Sequence, residues 1–152
     1  MSFHLKFLDE TVPQDWSELP GREVLVEIKI GDFSERMATP LGYWTTDQYK
    51  KQWKHAADTL LENETNSTLF ITQFYDPKED GPGYVLECWW AYREADKVYM
   101  RNSYIVSEGM PKEWDLVSLD SLATSRNPKD MVSEWVVSVE DIKLFRTALQ
   151  TL

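Results

Sequence analysis

Residues Tyr84–Val106, YVLECWWAYREADKVYMRNSYIV, decide how this chain folds. Two runs rich in aromatic and β-branched residues, Tyr84–Arg93 and Lys97–Val106, flank the polar Glu94-Ala95-Asp96. That pattern predicts a long antiparallel hairpin. Successive side chains of a strand point to opposite faces, so Tyr84, Leu86, Cys88, Trp90 and Tyr92 share one face. Glu87, Trp89 and Arg93 share the other. Trp89 and Trp90 therefore diverge, and one of them is part-exposed unless both faces are covered.

Working outward, Thr68–Tyr75 is a second strong strand, and the Pro/Gly-rich run from Asp76 to Gly83 is a loop. Further upstream, Thr45 followed by Gln48 has the form of a capping box. Tyr49, Trp53, Ala57 and Leu60 then lay one apolar stripe on a helix reaching Glu62, with Lys50, Lys51, Lys54 and His55 on the solvated side. Val24, Val26, Ile28 and Ile30 alternate with polar Glu27 and Lys29, which predicts a half-buried strand. Gly31-Asp32 turns it, Phe33–Met37 returns as a strand, and Pro40 and Gly42 break the chain. The first twenty residues read as an irregular entry, with a turn or short helix at Asp15–Leu19 and Trp16 packed down. Downstream, Leu116, Leu119 and Leu122 suggest a short helix, Met131–Val137 a last strand, and Ser138 with Asp141 the capped start of a terminal helix. Val139, Ile142, Phe145 and Leu149 give that helix its apolar stripe. The expectation is an α+β single domain over residues 1–152. Its twisted antiparallel β-sheet has about five to seven strands, and its two main helices run roughly over 45–62 and 139–150.

A chain of 152 residues with 7 Trp, 7 Tyr and 6 Phe can build a substantial core. The start, MSFHLKFLDET, has neither the long apolar run of a membrane span nor a small-residue cleavage site, and the expected location is the cytoplasm. The net charge of −10 disfavours general nucleic-acid binding and anionic membrane surfaces, and it favours a basic protein partner.

Catalytic sets are poor. Cys88 sits mid-strand with no histidine near it, where a free thiol serves as a core residue. His4 and His55 are too far apart in sequence, and in too unlike contexts, to start a metal site. Gly81-Pro82-Gly83 lacks the helix and lysine of a phosphate loop. No enzyme activity, cofactor or metal is expected.

Leu41-Gly42-Tyr43-Trp44, then Tyr49 with Trp53, then Lys97-Val98-Tyr99, then Ser133-Glu134-Trp135 occur in an order that resembles the immunity proteins of bacterial contact-dependent growth inhibition systems. The resemblance runs from about Gly31 to Leu149 and departs in the first twenty residues and over Ser107–Asp130. It implies a single α+β domain, likened in shape to a single-strand DNA-binding fold, with Tyr43, Trp44, Trp53 and Trp135 as core. It also implies a non-catalytic protein whose partner is the cognate toxin C-terminal domain of a large surface-exposed effector, with a nuclease as the expected toxin activity.

Binding residues are expected on acidic loops carried by the sheet. The candidates are Asp76, Glu79 and Asp80 in one loop, Glu94 and Asp96 in the hairpin turn, and Glu113, Trp114 and Asp115, where a tryptophan stands among acids. One rival reading is a single-stranded nucleic-acid-binding module using Trp89 and Tyr99 as stacking platforms. Another is a small hydrolase, which requires a buried carboxylate with a shifted pKa.

Overall fold

A computed structural model of the protein describes residues 2–16, 23–42, 44–75, 84–107 and 125–150. Its strands are β1 (Phe3–Leu8), β2 (Glu23–Ile30), β3 (Phe33–Pro40), β4 (Ser67–Tyr75), β5 (Tyr84–Glu94), β6 (Lys97–Ser107) and β7 (Trp135–Ser138). The helices are α1 (Thr46–Glu62) and α2 (Val139–Gln150). All pairings are antiparallel, so the α+β expectation holds, with the strands shared between two sheets ordered β1-β2-β3 and β4-β5-β6-β7.

Both helices begin as their cap residues dictate. Gln48 N donates to Thr45 Oγ1 (3.3 Å), and Thr45 N donates back to Gln48 Oε1 (2.8 Å). At α2, Asp141 N donates to Ser138 Oγ (3.1 Å) and Ser138 N to Asp141 Oδ2 (3.0 Å). Each box satisfies amides that a helix start leaves without an intrahelical partner. Tyr49, Trp53, Ala56, Ala57 and Leu60 then bury the face of α1 that the stripe predicted.

The core is aromatic. Phe3 meets Phe70 (5.3 Å between ring centroids) and Phe145 (4.9 Å), which ties β1 to β4 and α2. Phe33 meets Trp135 (4.5 Å) and Trp89 (6.1 Å), which ties the smaller sheet to the larger one. Large rings bury much apolar area each, so a few such contacts hold these layers together. Trp44 and Trp53 are buried as expected; Trp135 is half-buried and packed against the core, and Tyr43 lies outside the described residues.

The outer edge of β4 is sealed by side chains rather than by another strand. Gln52 Nε2 donates to Leu69 O (2.7 Å), while Ile71 N donates to Gln52 Oε1 (2.9 Å). Trp53 Nε1 donates to Ile71 O (2.7 Å), and Phe74 N donates to the Tyr49 hydroxyl (3.0 Å). From β3, Thr39 Oγ1 donates to Thr72 O (2.7 Å), and Gln73 Nε2 donates across to Ala38 O (2.6 Å). Backbone groups that would template another chain are thereby occupied.

Several expectations need correction. Phe3–Leu8 is a strand, not an irregular entry, because each of its residues pairs with one of β2. Trp16, in a one-turn helix at Gln14–Trp16, is exposed rather than packed down. β3 continues to Pro40, where pairing with Glu23 still holds it. The last strand starts only at Trp135, since β6 offers partners from Lys97 to Met100 alone, and Met131–Glu134 is irregular. The divergence of the two adjacent tryptophans is as expected: Trp89 is fully buried, because its face looks toward Phe33 and Trp135, and Trp90 is part-exposed. The suggested helix at Leu116, Leu119 and Leu122 and the loop Asp76–Gly83 lie outside the described residues.

Candidate functional site

The hairpin end has a dense set of charged contacts. β5 and β6 turn through Ala95-Asp96, with Ala95 in the left-handed region (φ 58°) that favours glycine. The turn is held from outside: Ala95 N donates to Glu64 O (3.1 Å), and Arg93 Nε donates to Ala95 O (2.7 Å). Val139 N donates to Asp96 O (2.9 Å), so the first residue of α2 is tied to the same turn.

An ion-pair network straps segment 125–134 across this end of the larger sheet. Arg126 grips Glu134 with two parallel bonds, from Nη2 to Oε1 (2.8 Å) and from Nε to Oε2 (2.9 Å). Its Nη1 donates to Glu94 Oε2 (2.7 Å). Arg101 donates to Glu134 Oε2 (2.7 Å), Asp130 Oδ2 (3.0 Å) and Asn127 O (2.9 Å). The Arg126 guanidinium lies 3.8 Å over the Tyr99 ring, and that of Arg101 lies 5.7 Å from Tyr92. Two-pronged pairing of this kind fixes orientation as well as charge, because both partners are planar. The hydrogen bond from Arg126 holds the Glu134 carboxyl below its ordinary range against the opposing effect of burial, with Arg101 helping.

Glu94 therefore belongs to a structural network and is not a free acid. Asp96 is an exposed acid at the turn. Asp76, Glu79, Asp80, Glu113, Trp114 and Asp115 lie outside the described residues. Sequence reading missed Arg101, Arg126 and Asp130. No local spacing marks them, because their partners lie up to 33 positions away. Glu134 stands out in the sequence only as part of Ser133-Glu134-Trp135.

A second constellation lies on the face of the larger sheet that carries Trp89. Glu87 is buried, and it accepts from Thr72 Oγ1 (3.0 Å) and the Tyr104 hydroxyl (2.8 Å). Burial, then the charge of Glu87, pushes the Glu35 carboxyl upward. Burial, then the same charge, pushes the Cys88 thiol up to about 12. Cys88 is fully buried in the core, where a free thiol packs as a small apolar side chain. Trp89 is fully buried, and Tyr99 already stacks under Arg126, so neither offers the free platform a nucleic-acid module needs. Among the described residues, no group of three or more His, Cys, Asp or Glu side chains could hold a metal ion.

The profile of the CdiI N-terminal domain matches residues 39–145, a span from the end of β3 into α2. The chain belongs to this family. The immunity protein CdiI of Enterobacter cloacae subsp. cloacae is 29% identical over 125 residues, covering 80% of this chain and 83% of that protein. The fold is similar to that in a solved CdiA-CT/CdiI toxin and immunity complex from Enterobacter cloacae, with a TM-score of 0.79, 24% identity and 99% of each chain covered. The whole ion-pair network falls inside the family's span: Glu94, Arg101, Arg126, Asp130 and Glu134 all lie between residues 39 and 145.

Proposed function

We propose that this chain is a non-catalytic immunity protein that binds the C-terminal toxin domain of a large surface-exposed effector and neutralises it in the cytoplasm. Membership of the CdiI N-terminal domain family carries the reading. The curated relative is itself called an immunity protein, and the fold neighbour was solved together with a toxin. No described helix is long and apolar enough to cross a membrane. The net charge of −10 suits a basic toxin, and a nuclease needs a basic surface to hold phosphates. An acidic inhibitor gains a fast encounter with such a surface, and its selectivity then rests on close-range fit.

Titration calorimetry against the C-terminal toxin domain of such an effector from the same bacterium tests the reading. The expected result is a one-to-one complex with Kd of roughly 10 nM or tighter and toxin activity abolished at equimolar protein. Absence of binding would overturn the proposal. Complete protection at a tenth of the toxin concentration would overturn its non-catalytic part.

A further inference from the structure

Glu35 and Glu87 come together where the two sheets open to solvent. Phe33, Glu35 and Met37 alternate onto one side of β3. Phe33 packs on Trp89 and Met37 is buried, so that side looks toward the larger sheet. Glu87 shares its face of β5 with Trp89, and Tyr104 stands directly opposite Glu87 on β6. Two residues on from Phe33 and two back from Trp89, Glu35 and Glu87 are close enough for the charge of Glu87 to help push the Glu35 carboxyl upward. The corner is open on one side: Tyr104 is 61% exposed, and Glu35 is exposed as well.

This corner holds negative charge without a base. Glu87 is only 5% exposed, yet its carboxylate accepts from two neutral groups alone, the Thr72 and Tyr104 hydroxyls. A carboxylate offers about four acceptor positions, and burying its charge is costly unless a counter-charge pairs with it. Among the described residues neither Glu35 nor Glu87 has an ion-pair partner, because Arg36, the base next to Glu35, is bound to Glu27 and Glu10. The groups whose charge acts on Tyr104 are Glu87, Tyr75 and Glu35, with no base among them. A metal ion does not suit the corner, since no described group of three or more His, Cys, Asp or Glu side chains could hold one. An organic cation does: carboxylates bind ammonium and guanidinium groups, and an exposed tyrosine ring attracts the same charge.

We infer that Glu87, Glu35 and Tyr104 form a receptor for a lysine or arginine side chain of the toxin domain. This inference rests on the proposed function and adds the contact residues. A base arriving there gives the buried Glu87 the counter-charge that the free protein lacks, so the pairing exists only in the complex.

The test is titration of Glu35→Gln and Glu87→Gln against the same toxin domain as the unaltered protein. Glutamine keeps the size of each side chain and removes its charge. Kd should rise by about 100-fold for Glu87→Gln and about tenfold for Glu35→Gln, the more exposed of the two, as one partner of an interfacial charge pair is neutralised. Glu35 makes no hydrogen bond or ion pair among the described residues and stands beside a like charge, so the thermal midpoint of Glu35→Gln should hold or rise. A merely structural role would lower that midpoint and leave Kd alone. Failure of the unaltered protein to bind overturns the proposed function and this inference with it. Binding by the unaltered protein together with a less than threefold change in both variants overturns the receptor alone. Should Glu87→Gln unfold, Glu35→Gln decides by itself at the same threefold limit. Magnesium and calcium chloride are titrated into the unaltered protein in parallel, and its self-association is followed by sedimentation velocity. Metal binding or dimerisation that disappears in Glu35→Gln would assign the corner to that occupant, and the inference falls.

Discussion

Gln52 joins α1 to the larger sheet with both ends of its amide, donating to Leu69 O and accepting from Ile71 N. Both backbone groups lie in a fully buried stretch, so nothing else among the described residues replaces their partner. A buried donor or acceptor left unmade costs about 1–3 kcal/mol, far more than the same bond is worth net in folding. Gln52→Leu keeps the volume and removes both bonds. It should destabilise the protein by about 2–4 kcal/mol, read as a lower urea midpoint with an unchanged slope. A loss below about 0.5 kcal/mol would mean that the edge of β4 does not rely on this side chain. Glutamine at this position also shows what the apolar stripe of α1 left out. The stripe located Tyr49 and Trp53 correctly, but the hydroxyl of one and the indole N–H of the other work as backbone partners, a role that only the neighbouring strand defines.

At the scale of elements, the network around Glu134 fastens segment 125–134 to the β5–β6 hairpin. Because its folded-state pKa is lowered, Glu134 contributes stability that is fully present above the ordinary carboxylate value of 4.5. That contribution disappears as pH falls through the lower folded value. Denaturation midpoints followed from pH 7 down to pH 3 should therefore fall through that acid range in the unaltered protein. In Glu134→Gln, which cannot titrate, the protein should start less stable at pH 7 and lose less on acidification. Parallel curves would show that other carboxylates govern acid unfolding. The helix boundaries were legible because caps are local chemistry: Thr45 with Gln48 and Ser138 with Asp141 mark α1 and α2 within a residue. β1 and β7 were misread because a strand exists only where a partner strand meets it. Phe3, Leu5 and Phe7 alternate, yet nothing local says that β2 lies alongside, and Met131–Val132 look like strand but reach past the paired part of β6.

For the whole molecule, the excess of 26 acids over 16 bases sets the long-range field. Steering by such a field weakens once the Debye length drops from about 10 Å at 0.1 M salt to about 3 Å at 1 M. The association rate with the toxin domain should therefore fall at least tenfold between 0.05 and 0.5 M salt, with the dissociation rate changing less. Stopped-flow mixing measures both. A salt-independent association rate would remove the acidic surface from the account.

The sequence alone determined what depends on neighbours within a few residues: two capped helices, an alternating hairpin, an apolar stripe and a large acidic excess. It also held a family pattern in which Trp44 and Trp53 are buried. The tertiary structure decided which of Trp89 and Trp90 is buried, because that depends on where Phe33 and Trp135 arrive. It also decided that Glu94 is tied to Arg126, and that Met131 and Val132 are exposed. Those outcomes come from partners separated by eight to more than thirty positions, and composition and periodicity carry no record of such distances.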